Sequence, residues 1–245
     1  MTIPDFTKAQ DSPSIDSLTS KASVYFDEAR EEKALKTYLS VLNQKPQNFE
    51  ALWHTSLLYA RIGFRMNSKK EMEDYYNESL SYAEKTLKLY PDRGYTHFVY
   101  AIAQGRLSDI SGASKRIEKS HIIKKHAIKA TELLPDYAPA WHLRGIWNSE
   151  VANISSAERF AAGVFSQGIP EDASNEKAEE YIKKAIELNP EQVIRFKLDL
   201  ARHYNRSGQK EKAIEALKEV VQENPRNPID EWNMERAKQL LKELS

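Results

Sequence analysis

Residues 196–225, FKLDLARHYNRSGQKEKAIEALKEVVQENP, decide the fold. Two short helical patterns flank a Ser207-Gly208 turn. In the first, Phe196, Leu200, Ala201 and Tyr204 recur at helical spacing; in the second, Ala213, Leu217 and Val220 do. Gly208 permits the sharp reversal between them. Pro225 stops the second helix near the residue before it. Neither helix buries its apolar stripe alone, so the pair requires neighbours.

The pair resembles one tetratricopeptide repeat, a unit of about 34 residues with a small-residue and aromatic signature. With Ile194 as the first position, Leu200, Ala201, Tyr204 and Gly208 fill the seventh, eighth, eleventh and fifteenth. Upstream, amphipathic runs also close on prolines: SVLNQKP at Pro46, KTLKLYP at Pro91, KATELLP at Pro135 and KKAIELNP at Pro190. The five prolines are 45, 44, 55 and 35 residues apart, so all but the last repeat are stretched by insertions.

The expected fold is all-α: a tetratricopeptide-repeat-like, right-handed α-solenoid of about five helix pairs. Its repeats run over residues 15–46, 49–91, 94–135, 138–190 and 194–225. The second repeat's insertion, FRMNSKKEMED, is placed between its helices. The longest insertion, residues 152–173, contains ISSAERFAAGVF, which predicts an extra helix. Gly145 takes the small eighth position of the fourth unit, where two helices approach closely. Asn227 and Pro228 start a capping helix over residues 228–244, with Ile229, Trp232, Leu240, Leu241 and Leu244 as its buried side. Such a cap ends the stack of a solenoid. Residues 1–14 are polar and are expected to be a disordered lead-in to a single domain over residues 15–245.

Composition narrows the function. Thirty-six basic residues balance thirty-six acidic ones, without the basic excess that nucleic-acid binding wants. The absence of cysteine excludes disulfides and thiolate metal sites. No apolar run approaches the roughly 18 residues of a membrane span. The N-terminus lacks the basic-then-apolar pattern of a secretion signal. The expectation is a soluble chain, cytoplasmic, or exported if a signal or anchor has been removed.

The second half carries a further resemblance. SHIIKKHAIKATELLPDYAPAWHLRGIW, an insertion, and then EKAEEYIKKAIELNP is similar to the regulator of microtubule dynamics family. That family has stretched repeats of this kind and an HLLGxW-type phrase followed by a short helical insertion. Here the phrase is His142, Leu143, Arg144, Gly145, Ile146 and Trp147, with arginine replacing an apolar residue. The resemblance implies a non-enzymatic adaptor. Members associate with microtubules or tether organelle membranes through partners, and many carry an N-terminal membrane anchor; no such anchor is visible here.

No catalytic, cofactor or metal site is expected. The histidines are scattered, and His121 and His126 are five apart where a zinc-binding pair on one helix face needs four. The eight glycines stand singly, with no phosphate loop. The basic run 115–129 reads first as a solvated outer face, interrupted by Glu118, and otherwise as a surface for an acidic protein tail or an anionic membrane. The concave groove is the stronger candidate. In this repeat the first helices line it, which points to Trp53, Arg61, Tyr95, Phe98, Arg106, His142, Arg202 and Arg206 as partner-binding residues, with Arg195, Ile102 and Ile146 among their neighbours. Aromatic and arginine residues together are what binding hot spots favour. The carboxylate clamp of chaperone-binding repeats is absent, because Thr19 and Ser23 occupy its lysine and asparagine positions. The function expected is a scaffold that binds a protein or peptide partner in the groove. The alternative is a binding protein for a small apolar or anionic, lipid-like ligand, with the helix near Phe160–Phe165 as its lid.

Overall fold

The computed structural model describes residues 14–165 and 168–245, so all but the last residue of the expected lead-in lies outside them. Ser14 is the N-cap of the first helix, its hydroxyl accepting from the Ser17 amide. The helices are α1 (Ile15–Asp27), α2 (Glu31–Gln44), α3 (Phe49–Gly63), α4 (Lys69–Leu89), α5 (Gly94–Asp109), α6 (Ala113–Leu133), α7 (Ala138–Ala152), α8 (Ser156–Phe165), α9 (Asn175–Leu188), α10 (Val193–Arg206), α11 (Lys210–Gln222) and α12 (Pro228–Leu244). A short 3-10 turn, Pro190–Gln192, leads into α10. Among the described residues there is no strand.

Five pairs stack in order: α1–α2, α3–α4, α5–α6, α7–α9 and α10–α11, with α12 packed on α10 and α11. Each second helix also touches the first helix of the next pair. Contacts of α3 with α5, α5 with α7 and α7 with α10 run along the inner wall. The core is therefore a row of layers, each completed by its neighbour, as a solenoid requires. Phe196, Leu198 and Leu217 are sealed from solvent in the last layers. Burial of this kind contributes about 1.5–3 kcal/mol per large apolar side chain.

Small residues set the crossings. At the α3–α4 crossing the Ser56 hydroxyl donates to the Ser79 carbonyl at 2.9 Å, and the Ser79 hydroxyl donates to the Ser56 carbonyl at 2.8 Å. At the α7–α9 crossing a Cβ on Gly145 would stand 2.6 Å from Ile182 Cγ1 and 3.0 Å from the Ile182 nitrogen, so no larger residue fits. Gly208 has φ +78° at the α10–α11 turn, with the Gln209 amide bonded to the Tyr204 carbonyl at 2.8 Å. The α1–α2 turn repeats this geometry with Ala29 at φ +56° and the Arg30 amide on the Tyr25 carbonyl at 2.8 Å.

The stretched repeats take up their extra residues in two ways. In α4 and α6 the second helix lengthens to 21 residues, against 13 or 14 in α2, α9 and α11. The KKEMED half of the second insertion is thus helix, started by Ser68, whose hydroxyl accepts from the Glu71 amide. In the fourth unit the extra residues form α8, which packs on α6. The basic face of α6 anchors this excursion rather than facing solvent alone. Arg116 pairs with Glu158 at 2.7 Å, His121 meets the Gly168 carbonyl at 2.8 Å, and Lys124 pairs with Asp172 at 2.5 Å.

The cap keeps part of its expected pattern, since Leu240, Leu241 and Leu244 pack against the last core layer. Its buried residues are Asp230, Asn233, Met234 and Ala237, while Ile229 and Trp232 border the inner cavity described below. Met234 and Ala237 join the last core layer, and this turns the flanking face inward.

Candidate functional site: an arginine-lined trough

The first helices curl around a cavity of about 450 Å³. Its floor is apolar: Leu57 from α3, Phe98 and Ile102 from α5, Leu143 and Ile146 from α7. Its walls are charged. Arg61 and Arg65 come from the end of α3 and just beyond, Arg106 from α5, Arg116 from α6, and Arg195, Arg202 and Arg206 from α10; Arg236 comes from α12. Eight of the chain's thirteen arginines thus line the trough, and among the described residues none of its lysines does. Guanidinium groups present a planar fork of donors suited to carboxylate and phosphate, which ammonium groups do not.

Most of these arginines are already held. Glu31, buried at the start of α2, pairs with Arg61 at 2.5 Å and with Arg65. Arg106 pairs with Asp109 at 3.3 Å, Arg202 with Asp199 at 2.7 Å, and Arg206 with Glu150 at 2.6 Å. These bonds fix the side chains in place. Arg195 and Arg236 have no carboxylate partner among the described residues. Burial, and then the charge of nearby Arg61, pull Arg195 down to about 10, so it stays charged at neutral pH.

Asp199 ties the trough wall together. It accepts from His142 Nε2 at 3.0 Å and from Arg202. Burial acts to raise its carboxyl, but the His142 hydrogen bond and the charges of Arg202 and Arg195 outweigh it and hold Asp199 well below the usual carboxylate range. Burial lowers His142, whose Nε2–H donates to the carboxylate.

Six of the eight residues read from sequence meet in this trough: Arg61, Phe98, Arg106, His142, Arg202 and Arg206. Trp53 and Tyr95 do not line it; they pack in the apolar cluster that includes Leu57 and Phe98. Trp53 stacks on Tyr95 at 4.5 Å, and Tyr95 meets Tyr137 edge-on at 5.1 Å. Tyr137 in turn meets Phe98 at 5.2 Å. This aromatic ladder runs from the second unit to the fourth. Reading from sequence missed Arg65, Arg116, Asp199, Trp232 and Arg236. Arg65 lies one turn beyond Arg61, and Asp199 one turn beyond Arg195, so helical spacing carried a signal for both. Trp232 was read only as part of the cap's buried side, and Arg236 carried no signal, because their helix reads as a cap.

One pair has the look of chemistry. The Ser149 hydroxyl lies 2.9 Å from His203 Nδ1 and accepts from Arg206 at 2.9 Å. Both Ser149 and His203 are fully buried, so no substrate reaches the hydroxyl. Among the described residues no three His, Asp or Glu side chains are grouped to hold a metal, and no helix is long and apolar enough to cross a membrane.

Comparison with known proteins agrees with the repeat architecture. A thermophilic TPR protein of Thermus thermophilus superposes with a TM-score of 0.64 at 17% identity, covering 92% of this chain and all of that one. Regulator of microtubule dynamics protein 1 of Mus musculus is 27% identical over 177 residues, 72% of this chain and 57% of the relative. Regulator of microtubule dynamics protein 2 of Bos taurus is 25% identical over 177 residues, 72% of this chain and 43% of the relative. The chain thus spans about half the length of these curated relatives. The model of the family described as regulator of microtubule dynamics protein 1-3 matches residues 18–245. With nearly every layer of the solenoid inside that match, this chain belongs to the regulator of microtubule dynamics protein 1-3 family.

Proposed function

We propose that the chain is a protein-interaction scaffold whose trough binds an extended, acidic segment of a partner. The observation that carries this reading is the sorting of arginine into the trough above an apolar floor. Phe98, Ile102, Leu143 and Ile146 take the segment's apolar side chains. Arg61, Arg106, Arg195, Arg202 and Arg206 take its carboxylates, with Arg195 in no ion pair among the described residues. His142 acts at one remove by holding Asp199, which in turn sets the angle of Arg202. Trp53 and Tyr95 stiffen the trough by packing with Leu57 and Phe98. The relatives' names tie them to microtubule dynamics, and a microtubule-associated partner with acidic segments suits this trough.

The test is fluorescence anisotropy with a labelled peptide of alternating glutamate and leucine. The expected result is saturable binding that Arg195→Gln weakens about tenfold, the effect of losing one charge-assisted contact. Arg144→Gln, on the outer face over Tyr181, leaves it unchanged. Equal binding of a glutamine-leucine peptide would overturn the reading.

A second reading rests on the enclosed apolar floor: a small amphiphile with an anionic head. Native mass spectrometry of freshly purified protein separates the two, since an amphiphile is retained as added mass. On this reading α8 is the lid. Phe160 on it is 77% exposed, while the side chain of Phe165 lies outside the described residues.

A further inference from the structure

We infer that the C-terminal helix is a working wall of the trough, and that the Phe64–Trp232 contact is a clasp closing the trough around its ligand. The inference rests on the trough being the binding site.

Ile229, Trp232, Asn233 and Arg236 recur at the spacing of one helix face, and all four border the cavity. A helix that merely ended the stack would turn such a face to bulk water. Here Trp232 instead meets Phe64 edge-on, with ring centroids 5.8 Å apart. Phe64 caps α3 in the second unit, so the contact joins the cap to the far side of the curl. A guanidinium lies over each ring: Arg106 is 4.0 Å from the centre of Phe64, and Arg236 is 4.4 Å from the centre of Trp232. The order is cation, ring, ring, cation.

Two properties follow from this arrangement. First, the rings are only partly buried, so this bridge lacks the dense packing of the core layers and opens more readily than they do. Second, Arg106 and Arg236 face both the rings and the cavity, so an anion in the trough and the aromatic faces share the same two cations. Closure of the clasp and occupation of the trough are therefore coupled. The clasp selects for ligands: a thin extended chain passes beneath it, and a wider one waits for it to open.

The chain contains no cysteine, which allows a test without any ligand. Gly105 lines the trough, and a Cβ there meets nothing within 4 Å. A single thiol introduced by Gly105→Cys therefore reports access to the cavity without disturbing the packing. Attachment of bulky fluorescein-maleimide is compared with that of small methyl methanethiosulfonate. Adding Trp232→Ala, or separately Phe64→Ala, is expected to raise the maleimide rate about tenfold, as loss of an aromatic pair with its cations implies. The small reagent's rate is expected to stay unchanged. Circular dichroism confirms the fold of each variant, and the two substitutions come from opposite sides, so one decides if the other unfolds. No change with either, or an equal rise with Trp141→Ala on the outer face, overturns the clasp. Failure of wild-type protein to bind the acidic peptide overturns the function proposed above and leaves the thiol rates to decide the clasp.

Discussion

Two residues show how closely backbone and packing constrain this chain. Gly145 is legible from its place in the repeat, and the structure gives the physical reason: Ile182 stands where its Cβ would go. Gly145→Ala is expected to cost about 1–3 kcal/mol, because the clash includes backbone that cannot rotate away. Urea denaturation measures it. Ala29 is the opposite case. It holds the left-handed conformation that Gly208 holds in the fifth unit, yet the charged phrase DEAREEK gives no turn residue to notice. Counting fifteen positions from Ile15 would have found it. Ala29→Gly removes the strain of a Cβ at positive φ but adds freedom to the unfolded chain. The expected net effect is a stabilisation of about 0.5–1 kcal/mol, read from the same denaturation curve.

Among whole elements, the inner helices conceal histidines that looked scattered in the sequence. His54, His97, His126, His142 and His203 are all buried between layers. His54 lies against Phe26 and Tyr38, and His97 meets His126 with their Nδ1 atoms 2.9 Å apart. Burial pushes His54 down to about 3 and His126 down to about 4. Both are neutral in the folded chain, whereas the unfolded chain protonates them near the ordinary value of about 6.5. The unfolded state therefore binds more protons as pH falls, and stability is lost below that value. His54 contributes a loss of about 1.4 kcal/mol per pH unit from about 6.5 down toward its folded value. Thermal melts from pH 7 to pH 5 are expected to show a steady fall, with a shallower slope in His54→Phe, which keeps the ring contacts. A flat profile, or one unchanged in the variant, would remove this linkage. The same scale separates what the sequence revealed from what it hid. Helix pairs, closing prolines and the extra α8 were readable because each is punctuated locally. The placement of the long insertions was not. Whether added residues extend a helix or leave it depends on the next layer's support, and no periodicity within the segment records that.

At the level of the molecule, the charges cancel in number but not in position. The groove residues of α3, α5, α7 and α10 were legible because the repeat assigns each position a direction. How far the stack curls was not, since small differences in packing angle accumulate from pair to pair. That curl is what brings α12 across to Phe64 and encloses the trough. With guanidinium lining it and, among the described residues, amines kept outside, the two cations answer to different reagents. Acetylation of the lysines, by acetic anhydride or by an acetyltransferase, is expected to recolour the exterior and leave acidic-peptide affinity intact. Phenylglyoxal, which condenses with guanidinium, is expected to abolish it, and prior saturation with peptide to protect against it. Among the described residues, a trough built this way lies out of reach of the covalent marks that cells most often write on amines.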